Sequence, residues 1–414
     1  MRHNISRSAR RITLFTAATT AVLLTAACSG PTDEADDGVT TIVLADAGLG
    51  TEADATAKAV EAFESANPDI DVKIESLSTD GTQYMQQLRQ RLVAGSTTPD
   101  VFKAADIEIA SLAESGWLYD LDSLGADPDS FVPGAVKAGQ PDGTTVALPW
   151  FANVEGVFYR TDLVPEFPAT PADLVAAAKA GAAADPAIEY GLAFEGAKYE
   201  GAVTVFNLVA TGMGGGLDLD NIASDENVAA LEFLHDAIYT EGISPEAVNQ
   251  WHEGEVQEAF SSGQTVFSTN WPFVFGASAD GPVDGKIGFA PFPGGGGTIG
   301  SEMLGINAKS EQAEAAWKLV QYLTSVEAQL ARAEATGNPP SLLAAYNDEL
   351  FEIAPYFAQV AAVAENATSR PSTPKYTEIS AELQTALSSV FANLAEPRAA
   401  LEEAAEKISE INGS

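Results

Sequence analysis

Residues 40–102 read TTIVLADAGLGTEADATAKAVEAFESANPDIDVKIESLSTDGTQYMQQLRQRLVAGSTTPDVF. The apolar run at 40–44 predicts a buried strand. After it, Ala53, Ala57, Val60 and Phe63 recur at helical spacing over 52–66, and Asn67-Pro68 stops that helix. Alternation at 70–74 marks a second strand. Met85, Leu88 and Leu92 share one face of a helix over 84–93, and 99–102 is a short buried strand leading into a helix over 107–114. Strand, helix and strand follow one another with short turns, which predicts an α/β fold with a mostly parallel sheet covered by helices.

The same rhythm continues outward. Apolar runs at 146–151 and 156–159 read as two strands, and 171–184 and 227–239 as helices. A short helix over 255–262 ends at Gly263 before a strand at 265–268. A glycine run at 294–297 reads as flexible and precedes a strand at 303–306. From Ser310 onward the chain is mainly helical, over 311–324, 326–335, 348–364, 377–394 and 398–411.

Composition limits what such a chain can do. Its 414 residues carry 21 Lys+Arg against 59 Asp+Glu, a formal charge of −38, and 46% are hydrophobic. Residues 1–27 hold Arg2, Arg7, Arg10 and Arg11 and no acid, so without them the charge is −42. Nucleic-acid phosphates and anionic lipid head groups would repel that chain. The apolar content supplies a large core and argues against disorder, and a body of about 390 residues is expected to divide into two lobes. The single cysteine, Cys28, permits no internal disulfide and no Cys-based zinc site. Beyond the leader only His235 and His252 remain, which leaves multi-histidine metal catalysis almost without ligands.

The basic residues at 2–11 and the apolar stretch at 12–27 form a secretory signal, too short for a membrane span. Leu24-Thr25-Ala26-Ala27-Cys28 resembles a bacterial lipoprotein signal, in which the cysteine is acylated and becomes the mature N-terminus; a plain signal peptide beside an incidental cysteine is the alternative. Residues 29–38, SGPTDEADDG, suit a solvated tether. This reading assigns 1–27 to the signal peptide and 28–38 to an acidic tether, with the body held at the outer face of the cell membrane through lipid on Cys28.

Several further segments, in order, resemble one family across almost the whole mature chain. They are Phe63…Asn67-Pro68, TPDVF at 98–102 followed by Asp106, LPWFANVEGVFYRTDL at 148–163, and Glu258-Ala259-Phe260 with Gly263. They continue with Phe267…Asn270-Trp271-Pro272, Leu304-Gly305-Ile306-Asn307, and Arg370-Pro371…Pro374-Lys375-Tyr376. Together they are similar to family 1 extracellular solute-binding lipoproteins of ABC-type sugar importers. The last element looks most like the branch that takes trehalose or maltose. The resemblance implies a two-lobe periplasmic-binding-protein-like fold of type II with ligand in the cleft between the lobes. It implies a first lobe from 39–150 and 272–336 and a second from 151–271 and 337–414, with crossings near 149–153, 270–272 and 337–340. It also implies no enzyme activity, no cofactor, and a monomer that delivers a carbohydrate to permease subunits.

Sugars offer hydroxyls and two C–H faces, so their sites need carboxylates or amides together with aromatic rings. By the resemblance Trp271 is a stacking residue, Glu253 a ligand carboxylate and Asp106 a contact in the turn after a strand, although Asp106 can equally cap the helix that follows. Trp251 lies beside Glu253, and Asn153 has an amide that both donates and accepts. Asp80 belongs to an Asp-Gly turn, and Glu52 at a helix start can be either a ligand contact or a dipole partner. Arg370, one of 17 basic residues outside the leader, can make forked bonds to adjacent hydroxyls or to a carboxylate. The family often has Gly-Gly-Trp-Gly before the 304–307 element, where this chain has Gly300-Ser301-Glu302-Met303. Glu302 thus stands in place of a stacking ring, and a more polar or amine-bearing saccharide could fit. Two alternatives stay open on the sequence: a secreted glycoside hydrolase using a carboxylate pair, and a cation- or siderophore-binding lipoprotein.

Overall fold

A computed structural model describes residues 38–46, 51–78 and 81–413; Cys28, the leader, all but the end of the tether, and Asp80 lie outside the described residues. The strands are β1 (Thr40–Asp46), β2 (Ile70–Ser76), β3 (Val101–Ala105), β4 (Ala147–Arg160), β5 (Tyr190–Ala193), β6 (Thr265–Asn270), β7 (Ile287–Ala290), β8 (Thr298–Ile306) and β9 (Thr368–Ser369). Their order is β2-β1-β3-β8-β4-β6-β5, with β7 also paired to β4 and β9 to β8.

The sheet is mixed, which corrects the expectation of a mostly parallel one. β1 is parallel to β2 and β3, and β5 is parallel to β6, but β8 runs antiparallel to both β3 and β4, and β4 runs antiparallel to β6 and β7. Apolar patterning marks a strand without giving its direction. The two runs expected at 146–151 and 156–159 are one strand. The polar residues between them, Asn153 and Glu155, lie inside a continuous ladder, with a register shift between Pro149 and Phe151.

That strand joins the two halves of the sheet. Residues 147–155 of β4 pair with β8, and residues 156–160 pair with β6 and β7. Around the first half, Ile42, Leu44 and Val101 pack with Phe63 and Leu319, while Tyr84, Leu88, Phe102 and Met303 form a second cluster. Around the second half, Phe206, Leu231, Phe267, Leu383 and Leu401 share a core drawn largely from helices Glu200–Gly212, Asp225–Tyr239, Tyr376–Phe391 and Pro397–Gly413. Phe275 and Phe289, from the segment that follows Trp271, pack on Phe158 at ring separations of 5.1 and 4.6 Å. Pro339 and Pro340 run beside β4: the Ala152 N–H donates to the Pro339 carbonyl at 3.1 Å, and Phe151 bridges Pro340.

Three local outcomes differ from the sequence expectation. Helix Glu200–Gly212 was not anticipated. Its residues from Gly201 to Ala210 are all buried, so it lacks the polar stripe that marks a surface helix, and Val203 and Val205 lend it a strand-like composition. The helix expected over 348–364 divides into Asp348–Ile353 and Phe357–Ala364, with Pro355 between them. The glycine run is packed rather than flexible, because Phe292 bridges Gly296 and a β-carbon at Gly296 would stand 2.1 Å from the Leu208 carbonyl oxygen.

Candidate functional site

The cleft lies where β4 and β8 pass between the two halves of the sheet. A cavity of about 280 Å³ is lined by Glu52, Lys103, Asn153, Trp271, Glu302 and Arg370, among others. A second, of about 780 Å³, shares Glu52, Lys103 and Glu302 with it and extends to Arg89 and Glu108 on one side and Pro374 and Thr377 on the other. Five of the residues singled out in the sequence therefore line one cavity: Glu52, Asn153, Trp271, Glu302 and Arg370.

A sixth, Asp106, is held by Arg370. Asp106 opens helix Asp106–Glu114 but does not cap it, because Ala105 occupies the cap position. Its carboxylate accepts from Arg370 Nη2 at 2.7 Å, from the Ile107 N–H at 2.8 Å and from the Ser301 N–H at 3.3 Å. Burial pushes its pKa up, and Arg370 offsets this only in part. Arg370, whose side chain is 8% exposed, reaches Glu200 with its other terminal nitrogen at 3.0 Å. Glu200 opens helix Glu200–Gly212 and also accepts from the Tyr376 hydroxyl at 2.6 Å and from the Ser380 hydroxyl. Burial opposes the charge on Arg370, but Asp106 and Glu200 outweigh it and hold the pKa above the ordinary arginine value. One guanidinium thus ties a helix start on the β3 side to a helix start in the second core.

Trp271 supplies the apolar face. It follows the end of β6, where its N–H donates to the Asn270 side chain at 2.9 Å, and its ring lies against Gly300 of β8. A β-carbon at Gly300 would meet Trp271 Cη2 at 2.9 Å and Arg370 Nη2 at 3.5 Å, so glycine there leaves room for the indole and the guanidinium together. Glu302, two residues along β8, is pushed up by burial and pulled back by Lys103. Opposite it, Glu52 accepts from the Asn338 amide at 3.4 Å and lies 3.8 Å from Arg332, whose guanidinium is stacked 4.1 Å from the Trp150 ring centroid.

The sequence reading missed the acids beneath this surface. Glu155 and Glu195 are 0% and 1% exposed, and none of the described residues hydrogen-bonds either carboxylate oxygen of Glu155. The Thr204 hydroxyl beside Glu155 donates instead to the Gly201 carbonyl at 3.0 Å. Glu195 accepts from the Thr269 hydroxyl at 2.5 Å through one oxygen, and its other oxygen has no partner among the described residues. Burial raises Glu155 to about 8, with Glu253 adding to the rise; burial and the charge of Glu155 raise Glu195 well above the carboxylate range. Glu253, expected as a ligand carboxylate, opens helix Glu253–Ser261, where its backbone carbonyl accepts from the Asn270 amide at 3.1 Å, and its charge adds to the rise at Glu155, Glu195 and Tyr199 after that of burial. Since Asn153 and Glu155 are two apart on β4, they project to the same face of the strand. That spacing within 148–163 was the one sequence signal that could have exposed Glu155.

Trp251 stands apart from the cluster. It packs edge-on against Tyr190 at 5.6 Å beside Glu255 and Glu258, where it supports the second core.

A mixed α/β fold with a cleft that combines an indole, an amide, carboxylates and a bridging arginine is that of a two-lobe solute-binding protein. The chain belongs to the bacterial extracellular solute-binding proteins, whose family model matches residues 47–330. Among its relatives is a protein of Deinococcus radiodurans described as a "Probable ABC transporter-binding protein", 27% identical over 368 residues, which are 83% of this chain and 87% of that one. Among solved structures, maltose-bound T. maritima MalE3 is similar with a TM-score of 0.79 and 33% identity, covering 90% of this chain and 100% of that chain. The GacH receptor of Streptomyces glaucescens, at 21% identity and a TM-score of 0.77 over 90% of this chain and 98% of its own, shares the fold. The family and these relatives are binding proteins rather than enzymes, which sets the hydrolase alternative aside.

Proposed function

We propose that the chain captures an α-linked di- or oligosaccharide of the trehalose or maltose type and delivers it to the permease of an ABC importer. The observation that carries this reading is the Trp271 ring in one cavity with Asn153, Arg370, Glu302 and Glu52: a face for sugar C–H groups surrounded by hydroxyl partners. The maltose in the T. maritima protein points the same way. Capture works by lobe closure. Ligand binds both walls, favours the closed arrangement by its differential affinity, and that arrangement is what the permease receives. In this reading the lobes are 39–150 with 272–336 and 151–271 with 337–414, and the chain crosses between them near 149–153, 270–272 and 337–340. The body is a monomer held at the outer face of the cell membrane by lipid on Cys28. Calorimetric titration with trehalose, maltose and maltotriose tests the proposal: saturable binding of at least one without turnover is expected, and no heat from any of them would refute it.

A further inference from the structure

We propose that the ligand is a saccharide of at least three units that runs out of the Trp271 cavity into the larger one, with Lys103 and Glu302 gripping the unit where the two meet. This rests on the sugar-binding reading above and names the length class of the substrate within it. The Trp271 cavity, at about 280 Å³, lies at the lower edge of the roughly 300–1,000 Å³ usual for a small-molecule site, and the larger one, at about 780 Å³, lies well inside that range. A ligand confined to the Trp271 wall would leave most of the cleft to water. The two spaces adjoin, because Glu52, Lys103, Ala105 and Glu302 line both.

The junction has the chemistry to hold a sugar unit. β3 and β8 run antiparallel with Ala105 opposite Glu302 and Lys103 opposite Leu304. Lys103 and Glu302 are therefore diagonal neighbours on one face of the sheet, within reach of the same ligand unit. Neither terminal group is used up by the fold. The Glu302 carboxylate makes no hydrogen bond to a described residue, and Lys103 Nζ stands 3.6 Å from Asp46, too far for a hydrogen bond. An ammonium donates and a carboxylate accepts, so adjacent hydroxyls of one unit satisfy both: one accepts from Lys103 and the next donates to Glu302. Beyond the junction the larger cavity is walled by helices Gly81–Val93 and Asp106–Glu114 on one side and by residues 374–377 on the other. There the exposed Gln86 and Thr377 offer an amide and a hydroxyl that no described residue engages, which gives a third unit its own partners.

The test is calorimetry with trehalose, with maltose, maltotriose and maltotetraose, and with isomaltose and isomaltotriose. In at least one series the trisaccharide should bind about tenfold or more tightly than its disaccharide. Thr377→Trp places a large side chain at an exposed position of the larger cavity and should bring that ratio down to about one. Glu302→Gln and Lys103→Met should each weaken the trisaccharide about tenfold or more. Disaccharides, trehalose included, that bind as tightly as every longer sugar would overturn the inference and leave the sugar-binding reading standing. A length preference retained in Thr377→Trp would overturn the path through the larger cavity, and trisaccharide affinity unchanged in both Glu302→Gln and Lys103→Met would overturn the junction. No binding by any of these sugars would remove the sugar-binding reading and this inference together.

Discussion

Trp271 and Gly300 make the sharpest residue-scale case. The indole occupies space that only a missing β-carbon leaves open, 2.9 Å from where that carbon would be. Trp271→Ala removes the stacking face and should weaken sugar binding by about 1–3 kcal/mol. Gly300→Ala should weaken it comparably by displacing the same ring, with thermal unfolding unchanged to within a few degrees in both variants. Glu155 gives a pH signature. Below its ordinary 4.5 the carboxyl is protonated in folded and unfolded chains alike; between 4.5 and about 8 the folded protein alone keeps the proton. Unfolding then releases a proton, so ligand-free stability should fall as pH rises through that window. Urea midpoints measured across it should flatten in E155Q; an unchanged slope would contradict the assignment. Arg370 and Trp271 stood out in the sequence because an arginine and a tryptophan are rare here and sit in proline-marked turns, whereas Asp106 stood out only through the resemblance carried by the segment at 98–106. Glu155 and Glu195 were not legible, because 59 acids make any one carboxylate inconspicuous and only the fold shows which are buried.

At the scale of elements, helix Glu200–Gly212 connects core to cleft. Its first residue accepts from Arg370, Tyr376 and Ser380, so it fixes both the 370 loop and the start of helix Tyr376–Phe391. Glu200→Ala leaves a buried arginine with only Asp106 and strands two hydroxyls, which should cost about 2–4 kcal/mol of stability. A fall in the denaturant midpoint with an unchanged slope would show it, and Glu200→Gln should recover part of the loss by keeping the hydrogen bonds. Amphipathic elements such as Thr51–Ala66 and Gly81–Val93 announce themselves in sequence through one apolar face. Helix Glu200–Gly212 has no exposed face to contrast with a buried one, and the antiparallel course of β8 depends on partners about 200 residues away, such as Gly305 opposite Phe102.

In the whole molecule, β4 serves both halves of the sheet as one strand, and Arg370 links a helix of each half across the cleft. If closure is the response to ligand, X-ray scattering should show a smaller radius of gyration with saturating sugar, and Arg370→Ala should reduce that change along with affinity. The strong negative charge reads at this scale as solvation of the body; of its cations, Lys103 and Arg370 line the cleft and Arg332 lies 3.8 Å from Glu52 beside it.

In the proposed function, sugar binds at the Trp271 wall of this cleft. Calorimetric titration of the intact protein and of Trp271→Ala with maltose and trehalose tests it most directly. Saturable binding of at least one sugar by the intact protein and about tenfold or greater weakening in the variant are expected; equal affinity in the two proteins would rule out the Trp271 wall as the sugar site.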